Sequence, residues 1–401
     1  MNARVKIENL YKVFAKDPAP ALAMLKRGCS KSQVLEELGH VVGVDDLSLS
    51  VPAGAMYMVM GLSGSGKSTL ARCINRLNEP SAGRILLDGE DICALDEKAL
   101  REVRRNRVSM VFQHFALLPN RRVIENVEFG LKLRGMPAPE RRKRAEEVLG
   151  VVGLSRWAYH MPHELSGGMR QRVGLARALA TDADVLIMDE AFSALDPLIR
   201  CEMQDELLRL QRVLKKTILF ITHDFQEALK LGTRIAVMSE GRLVREGTPQ
   251  AIVLEPGSDY VAAFTRDVDR TRLFDARSVM SPVAVIADTP DGSVMGHAEG
   301  GDQPGFLVDR DQRVLGRFSA DAVARSRTGA SGLQSEPDFI CVPSETKIVD
   351  VASRYRDGLP MGVLDESGRL IGLLDASRIL AGIGGGRVSG MSSGSTGVPH
   401  A

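Results

Sequence analysis

Residues 61–69 read Gly61-Leu62-Ser63-Gly64-Ser65-Gly66-Lys67-Ser68-Thr69, a complete G-x-x-x-x-G-K-[ST] pattern. Glycines at 61, 64 and 66 let the main chain curl until consecutive N–H groups converge on phosphate oxygens. Lys67 reaches the β- and γ-phosphates and Ser68 offers its hydroxyl to Mg²⁺, with Ser63, Ser65 and Thr69 completing the cradle. The apolar run Met58-Val59-Met60 reads as a buried strand entering the loop, and Thr69-Leu70-Ala71-Arg72 as the helix leaving it. A strand, a glycine loop and a helix in that order are the context the pattern needs, and they predict an α/β fold with the phosphates at a helix N-terminus.

Working outward, Asp184-Val185-Leu186-Ile187-Met188-Asp189-Glu190 is a short apolar run ending in paired acids. Such a run reads as a buried parallel strand, a pattern common enough to mean little by itself. Beside a phosphate loop it means more, because an acid at the carboxyl end of a neighbouring strand faces the nucleotide. Asp189 is then placed to hold the Mg²⁺ shell and Glu190 to polarise an attacking water. A third stretch, Leu165-Ser166-Gly167-Gly168-Met169-Arg170-Gln171-Arg172, reads as a helix N-terminus capped by Ser166, and a capped N-terminus is itself an anion site.

Together these stretches resemble the signature of ATP-binding cassette (ABC) ATPases, in which Leu-Ser-Gly-Gly precedes a paired-acid strand by about twenty residues. The resemblance spans residues 4 to 265 and implies a P-loop NTPase of the ABC type, with a helical subdomain at about 115–175. Further marks fall in register. Gln113, in Met110-Val111-Phe112-Gln113, matches the Q-loop glutamine; Ser193-Ala194-Leu195-Asp196 matches the D-loop; His223, in Phe220-Ile221-Thr222-His223-Asp224, matches the switch histidine. Phe14 resembles the aromatic that stacks on adenine, although Tyr11 is close and either residue could belong to the core. What the family implies is ATP held with Mg²⁺ on Ser68, Gln113 and Asp189, Glu190 as general base, His223 on the γ-phosphate, and Gln113 passing closure to a partner. Ser166, Gly167, Gly168 and Asp196 of one copy would close over nucleotide held by the loop of a second copy.

Residues 16–44 narrow the resemblance. A short cassette needs only a few residues between its first two strands, whereas this chain carries Ala21-Leu22-Ala23-Met24-Leu25 and a Ser30-capped stretch, Lys31-Ser32-Gln33-Val34-Leu35-Glu36-Glu37. With Val111-Phe112-Gln113-His114-Phe115-Ala116-Leu117-Leu118-Pro119 and Asp189-Glu190-Ala191-Phe192-Ser193-Ala194-Leu195-Asp196-Pro197, the insert is similar to the ATPases of glycine betaine/proline (quaternary amine) importers. That likeness implies two integral-membrane permease subunits, an extracytoplasmic solute-binding protein, and a peripheral position on the cytoplasmic face of the inner membrane. The alternatives are a choline- or amino-acid-specific importer without osmotic gating, a non-transport ABC protein, and an ATP-binding sensor. A single nucleotide loop, no heptads between Lys67 and Ser166, and intact Glu190 and His223 weigh against the last two.

Composition sets the outer bounds. The chain has 401 residues, 44% of them hydrophobic, long for one domain and enough for a proper core. A net charge of +1 points to no nucleic acid or acidic membrane. Cys29, Cys73, Cys93, Cys201 and Cys341 are scattered without metal spacing and read as free thiols in a reducing compartment. Met1–Leu10 lacks the apolar stretch of a secretory signal, and no run approaches the roughly 20 apolar residues that span a bilayer. The basic runs Arg101–Arg107 and Arg134–Arg144 lack interleaved aromatics; the second, mixed in sign at helical spacing, reads as a solvated helix face rather than a nucleic-acid surface.

The C-terminal third repeats itself. Leu307-Val308-Asp309 to Arg313-Val314-Leu315-Gly316 returns as Val363-Leu364-Asp365 to Arg369-Leu370-Ile371-Gly372, each copy reading as strand, polar turn, strand and then a helix such as Ala376–Leu380. A repeat of this length suggests a paired module with a pseudo-twofold axis. It resembles a tandem of CBS domains, regulatory in osmoprotectant importers, expected over residues 266–383. The acidic ribose contact of that family is missing: Ala322 and Arg378 occupy its places. Nucleotide-binding and dimer-stabilising roles therefore both remain open. The small, polar stretch 384–401 is predicted to be disordered.

Overall fold

Met56–Met60 and Val185–Asp189 are five-residue strands in which every side chain is buried. Strands apolar on both faces must lie in the middle of a covered sheet, and that requirement sets the architecture. The computed structural model describes residues 3–112, 117–193, 195–289, 292–297, 305–318, 336–357 and 359–384. The chain divides into two units, Met1–Arg266 and Asp267–Ala401.

In the first unit, β1 (Ala3–Phe14), β2 (Val41–Pro52), β4 (Ala82–Leu87) and β5 (Glu90–Asp91) form an antiparallel sheet in the order β2-β1-β4-β5. The second sheet comprises β3 (Met56–Met60), β6 (Val108–Val111), β7 (Val185–Asp189), β8 (Thr217–Thr222), β9 (Arg234–Ser239) and β10 (Arg242–Gly247), ordered β10-β9-β3-β8-β7-β6. All its pairings are parallel except β9 with β10. A shared core joins the two sheets: Val5, Leu47 and Ile85 pack with Tyr57, Ile187 and Leu219 around the helix Lys67–Ile74. Because β3, β8, β7 and β6 run parallel as neighbours, the loops leaving their carboxyl ends line up along one edge of the sheet.

The insert between β1 and β2 folds as two short helices, Ala19–Lys26 and Lys31–Leu38. Ser30 caps the second, its hydroxyl accepting from the Gln33 N–H at 3.2 Å while the Ser30 N–H donates to the Gln33 side chain at 2.7 Å, a reciprocal capping box. Ala21, Met24, Leu25 and Val34 bury themselves against Tyr11, Val13 and Val42, so the insert braces the two strands that carry Phe14 and Val41. Further along the chain come helices Val123–Leu133, Ala138–Val151 and Gly167–Ala180. The basic run on the middle helix is less solvated than its charge pattern suggests, because Arg141 (3.4 Å) and Arg142 close on the buried carboxylate of Glu128.

The second unit is built on a seven-stranded sheet, antiparallel except where Ile340–Pro343 runs parallel to Met361–Leu364. The repeat read from the sequence is a repeat of structure. Asp309 Oδ1 accepts from the N–H groups of Asp311 (2.9 Å) and Arg313 (2.8 Å), and Asp365 Oδ1 accepts from those of Ser367 (2.8 Å) and Arg369 (2.9 Å). Each aspartate thus folds the same polar turn between two strands. Phe306 and Val308 from one copy share a core with Leu370 and Leu373 from the other. Ala322 and the tail beyond residue 384 lie outside the described residues, whereas Arg378 sits in the helix Ala376–Gly384.

Candidate nucleotide site

The phosphate loop leaves β3 at Met60 and enters the helix Lys67–Ile74 through Gly66. Two of its glycines are demanded by their surroundings. At Gly61, with φ +149°, a Cβ would fall 2.1 Å from the Met238 carbonyl oxygen; at Gly66, with φ +100°, it would fall 2.2 Å from that of Gly43. Gly64 also has positive φ, +79°, but open space around it. The loop is wedged between the ends of β9 and β2, close enough for backbone to touch backbone.

Inside this loop Lys67 is almost wholly buried, its ammonium donating to the carbonyls of Gly61 and Leu62 at 2.9 Å each. Burial lowers its pKa, and the carboxylates of Glu190 and Asp189 oppose that shift. Ser68 donates its hydroxyl to Asp189 Oδ1 at 2.8 Å. Burial raises the Asp189 pKa, with the Ser68 hydrogen bond acting the other way. Two hard oxygens therefore stand side by side behind the loop, a donor set suited to a small divalent cation that keeps phosphate and water oxygens as its other ligands.

A cleft of about 570 Å³ opens in front. Ser63, Gly64, Gly66, Lys67, Ser68 and Thr69 form its floor, while Glu190 and His223 line it from the ends of β7 and β8. Glu190 takes φ +48°, rare for a residue with a side chain, and its N–H donates to the Ile221 carbonyl at 3.0 Å. Its carboxylate Oε2 lies 3.4 Å from His223 Nδ1. A wall of Phe14, Val41, Val42 and Gly43 completes the cleft. Phe14 is 45% exposed with the Lys12 ammonium over its ring, whereas Tyr11 is buried in the core beneath the insert. Of the two aromatics only Phe14 is exposed and lines the cleft.

The remaining motif residues stand elsewhere. Ser166 caps the helix Gly167–Ala180, accepting from the Met169 N–H at 3.3 Å, and Asp196 caps Pro197–Leu214, accepting from the Ile199 N–H at 3.1 Å. Neither these nor Gly167 and Gly168 line the cleft. Ser65 is buried behind the loop, and Gln113 lies outside the described residues. The motifs missed the wall formed by β2. Gly43 is the lone flag there, a glycine inside a strand whose Cβ would sit 2.7 Å from the Thr69 methyl and 3.0 Å from the Phe14 ring.

The family model described as ABC transporter matches residues 44–193. The chain is 43% identical over 389 residues to the glycine betaine/proline betaine transport system ATP-binding protein ProV of Salmonella typhimurium, covering 95% of this chain and 97% of that one. It is 42% identical to the glycine betaine/carnitine transport ATP-binding protein GbuA of Listeria monocytogenes, over 96% of this chain and 99% of that one. Among solved structures, the dimeric structure of MJ0796, a bacterial ABC transporter cassette, superposes with a TM-score of 0.53 at 32% identity, covering 61% of this chain and 98% of that one.

Proposed function

The chain belongs to the family of ATP-binding subunits of glycine betaine ABC transporters, and on that premise we propose that it hydrolyses ATP to drive import of glycine betaine/proline-type quaternary amines. The observation that carries this reading is the cleft: Lys67, Ser68, Glu190 and His223, from three separate segments, meet around a space bounded by the glycine-rich loop and one half-exposed ring.

In the proposed chemistry, Lys67 and the loop N–H groups neutralise the γ-phosphate, and Glu190 takes the proton of an in-line water. His223 holds the Glu190 carboxylate from one side and contacts the γ-phosphate with its other edge. Ser68, Asp189 and Gln113 would hold Mg²⁺, which supplies charge neutralisation across the β- and γ-phosphates. We assign Phe14 to the adenine face. Ser166, Gly167, Gly168 and Asp196 serve the nucleotide of a second copy, which accounts for two capped helix N-termini outside the cleft of their own chain. Among the described residues no helix is long and apolar enough to cross a membrane. We place the working pair on the cytoplasmic face of the membrane beneath two permease subunits, fed by a solute-binding protein. Residues 266–383 we read as a CBS-type pair that gates transport by charge-dependent docking, which salt screens.

Uptake of labelled glycine betaine, choline and proline tests this in a strain lacking the gene, with and without added salt. Salt-stimulated betaine uptake should return with the wild-type chain and stay absent with the Glu190→Gln variant. A fall in choline uptake alone, indifferent to salt, would reassign the chain to nutritional choline import. Removal of residues 276–401 should leave uptake measurable but abolish its salt response; an unchanged response would discard the gating role.

A further inference from the structure

Tyr260 lies 198 positions from Leu62, yet the two are joined. The tyrosine hydroxyl spends both of its hydrogen-bonding capacities on main chain: it accepts from the Leu62 N–H at 3.1 Å and donates to the Met238 carbonyl at 3.1 Å. One of those groups belongs to the phosphate loop and the other to β9. Loop and strand also touch next door, where Gly61 rests on the Met238 carbonyl oxygen. On its far side the same Gly61–Leu62 peptide offers its carbonyl, that of Gly61, to the Lys67 ammonium at 2.9 Å, and the next carbonyl, that of Leu62, accepts from the same ammonium at 2.9 Å. The peptide is thus gripped at its N–H by Tyr260 and at its oxygen by the cation that reads the terminal phosphates.

The ring that carries this hydroxyl is itself held. Tyr260 sits in the helix Asp259–Thr265, capped by Ser258, and meets Phe264 edge-on with centroids 5.3 Å apart. Phe264 in turn lies 6.2 Å from Phe225, the residue that opens the helix Phe225–Leu231 two positions after His223. A chain of three rings therefore runs from the loop ahead of Lys67 to the loop that presents His223. Nothing in the nucleotide motifs requires any of the three.

We propose that Tyr260 is a positioning residue for nucleotide binding: by bridging Leu62 and Met238 it fixes the Gly61–Leu62 peptides against which Lys67 rests, and so sets where the ammonium stands when the γ-phosphate arrives. The proposal rests on the ATPase reading. It places the effect on the grip of the phosphates rather than on proton transfer, because Tyr260 bonds to the loop and to β9 and is not among the residues that line the cleft with Glu190.

The test is Tyr260→Phe in the full chain assembled with its permease partners, which keeps the ring contacts and removes one oxygen. Binding of MgATP, followed by displacement of a fluorescent ATP analogue, should weaken about three- to tenfold, the range expected for one hydrogen bond of ordinary net strength. KM for ATP should rise in step while kcat at saturation stays within about twofold, since a lost ground-state contact moves KM alone. The thermal unfolding midpoint should stay close to wild type, separating this effect from loss of fold. Unchanged binding and KM, or a fall in kcat at unchanged KM, would overturn the proposal while leaving the ATPase reading intact. A wild-type complex that neither binds nor hydrolyses ATP would overturn both.

Discussion

Glu190→Gln is expected to lower steady-state ATP turnover by about a hundred- to a thousandfold while ATP binding survives. Glutamine copies the shape of glutamate but cannot accept the proton of an attacking water, and a positioned general base is worth about a hundred- to ten-thousandfold in rate. The backbone at residue 190 should tolerate the change, because the 3.0 Å hydrogen bond from its N–H to the Ile221 carbonyl is made by main chain and survives the substitution. The His223 contact, now at 3.4 Å to a carboxylate oxygen, would persist to an amide oxygen. Loss of a negative charge beside the γ-phosphate should, if anything, tighten ATP binding. Phosphate release from the assembled complex, paired with nucleotide binding to the same preparation, checks both halves. Near-normal hydrolysis by this variant would remove Glu190 from the mechanism.

Gly66→Ala should abolish nucleotide binding by a different route, with affinity for MgATP falling by at least about a hundredfold. Two penalties add at this position. An alanine at φ +100° costs about 1–2 kcal/mol in backbone strain. Its methyl would also stand 2.2 Å from the Gly43 carbonyl oxygen and 3.4 Å from the Gly241 Cα, neither of which is a flexible side chain that could step aside. Relief requires moving the loop at the residue immediately before Lys67. Gly64→Ala is the internal comparison: at φ +79° it bears the strain but meets no atom within 4 Å, so a loss of about tenfold is expected. Titration of each variant with a fluorescent ATP analogue measures the difference. Equal losses at the two positions would mean that backbone conformation, not the approach of β2, decides which glycines the loop must keep.

Reading along the chain names the required residues without the contacts that require them. The pattern at 61–69 fixes Gly61 and Gly66 and leaves position 64 open, but only the neighbours give the reason: Gly61 and Gly66 press against Met238 and Gly43, whereas Gly64 stands in open space. In the same way, the residues 16–44 are legible as an extra helical segment with a serine cap, but not as the brace under Tyr11 and Val13 that leaves Phe14 free at the mouth of the cleft. The C-terminal repeat is legible because its turns are local. Asp309 and Asp365 hydrogen-bond to N–H groups two and four residues ahead, so the spacing of Asp, Arg and Gly must recur.

While His223 and Asp196 stand out only through the resemblance to a family, from the residues alone came the phosphate loop, the paired acids at 189 and 190, the helix capped at Ser166 and the α/β class. Each depends on atoms within a few bonds of one another: successive N–H groups to surround a phosphate, an apolar run to bury a strand, a hydroxyl three residues before the amide it caps. The meeting of β7 and β8 with the loop after β3, the wall contributed by Gly43, and the hydroxyl of Tyr260 on Leu62 were decided by tertiary structure. Contacts between segments as much as 198 positions apart are set by the order of strands in a sheet, and that order imposes no spacing on the sequence.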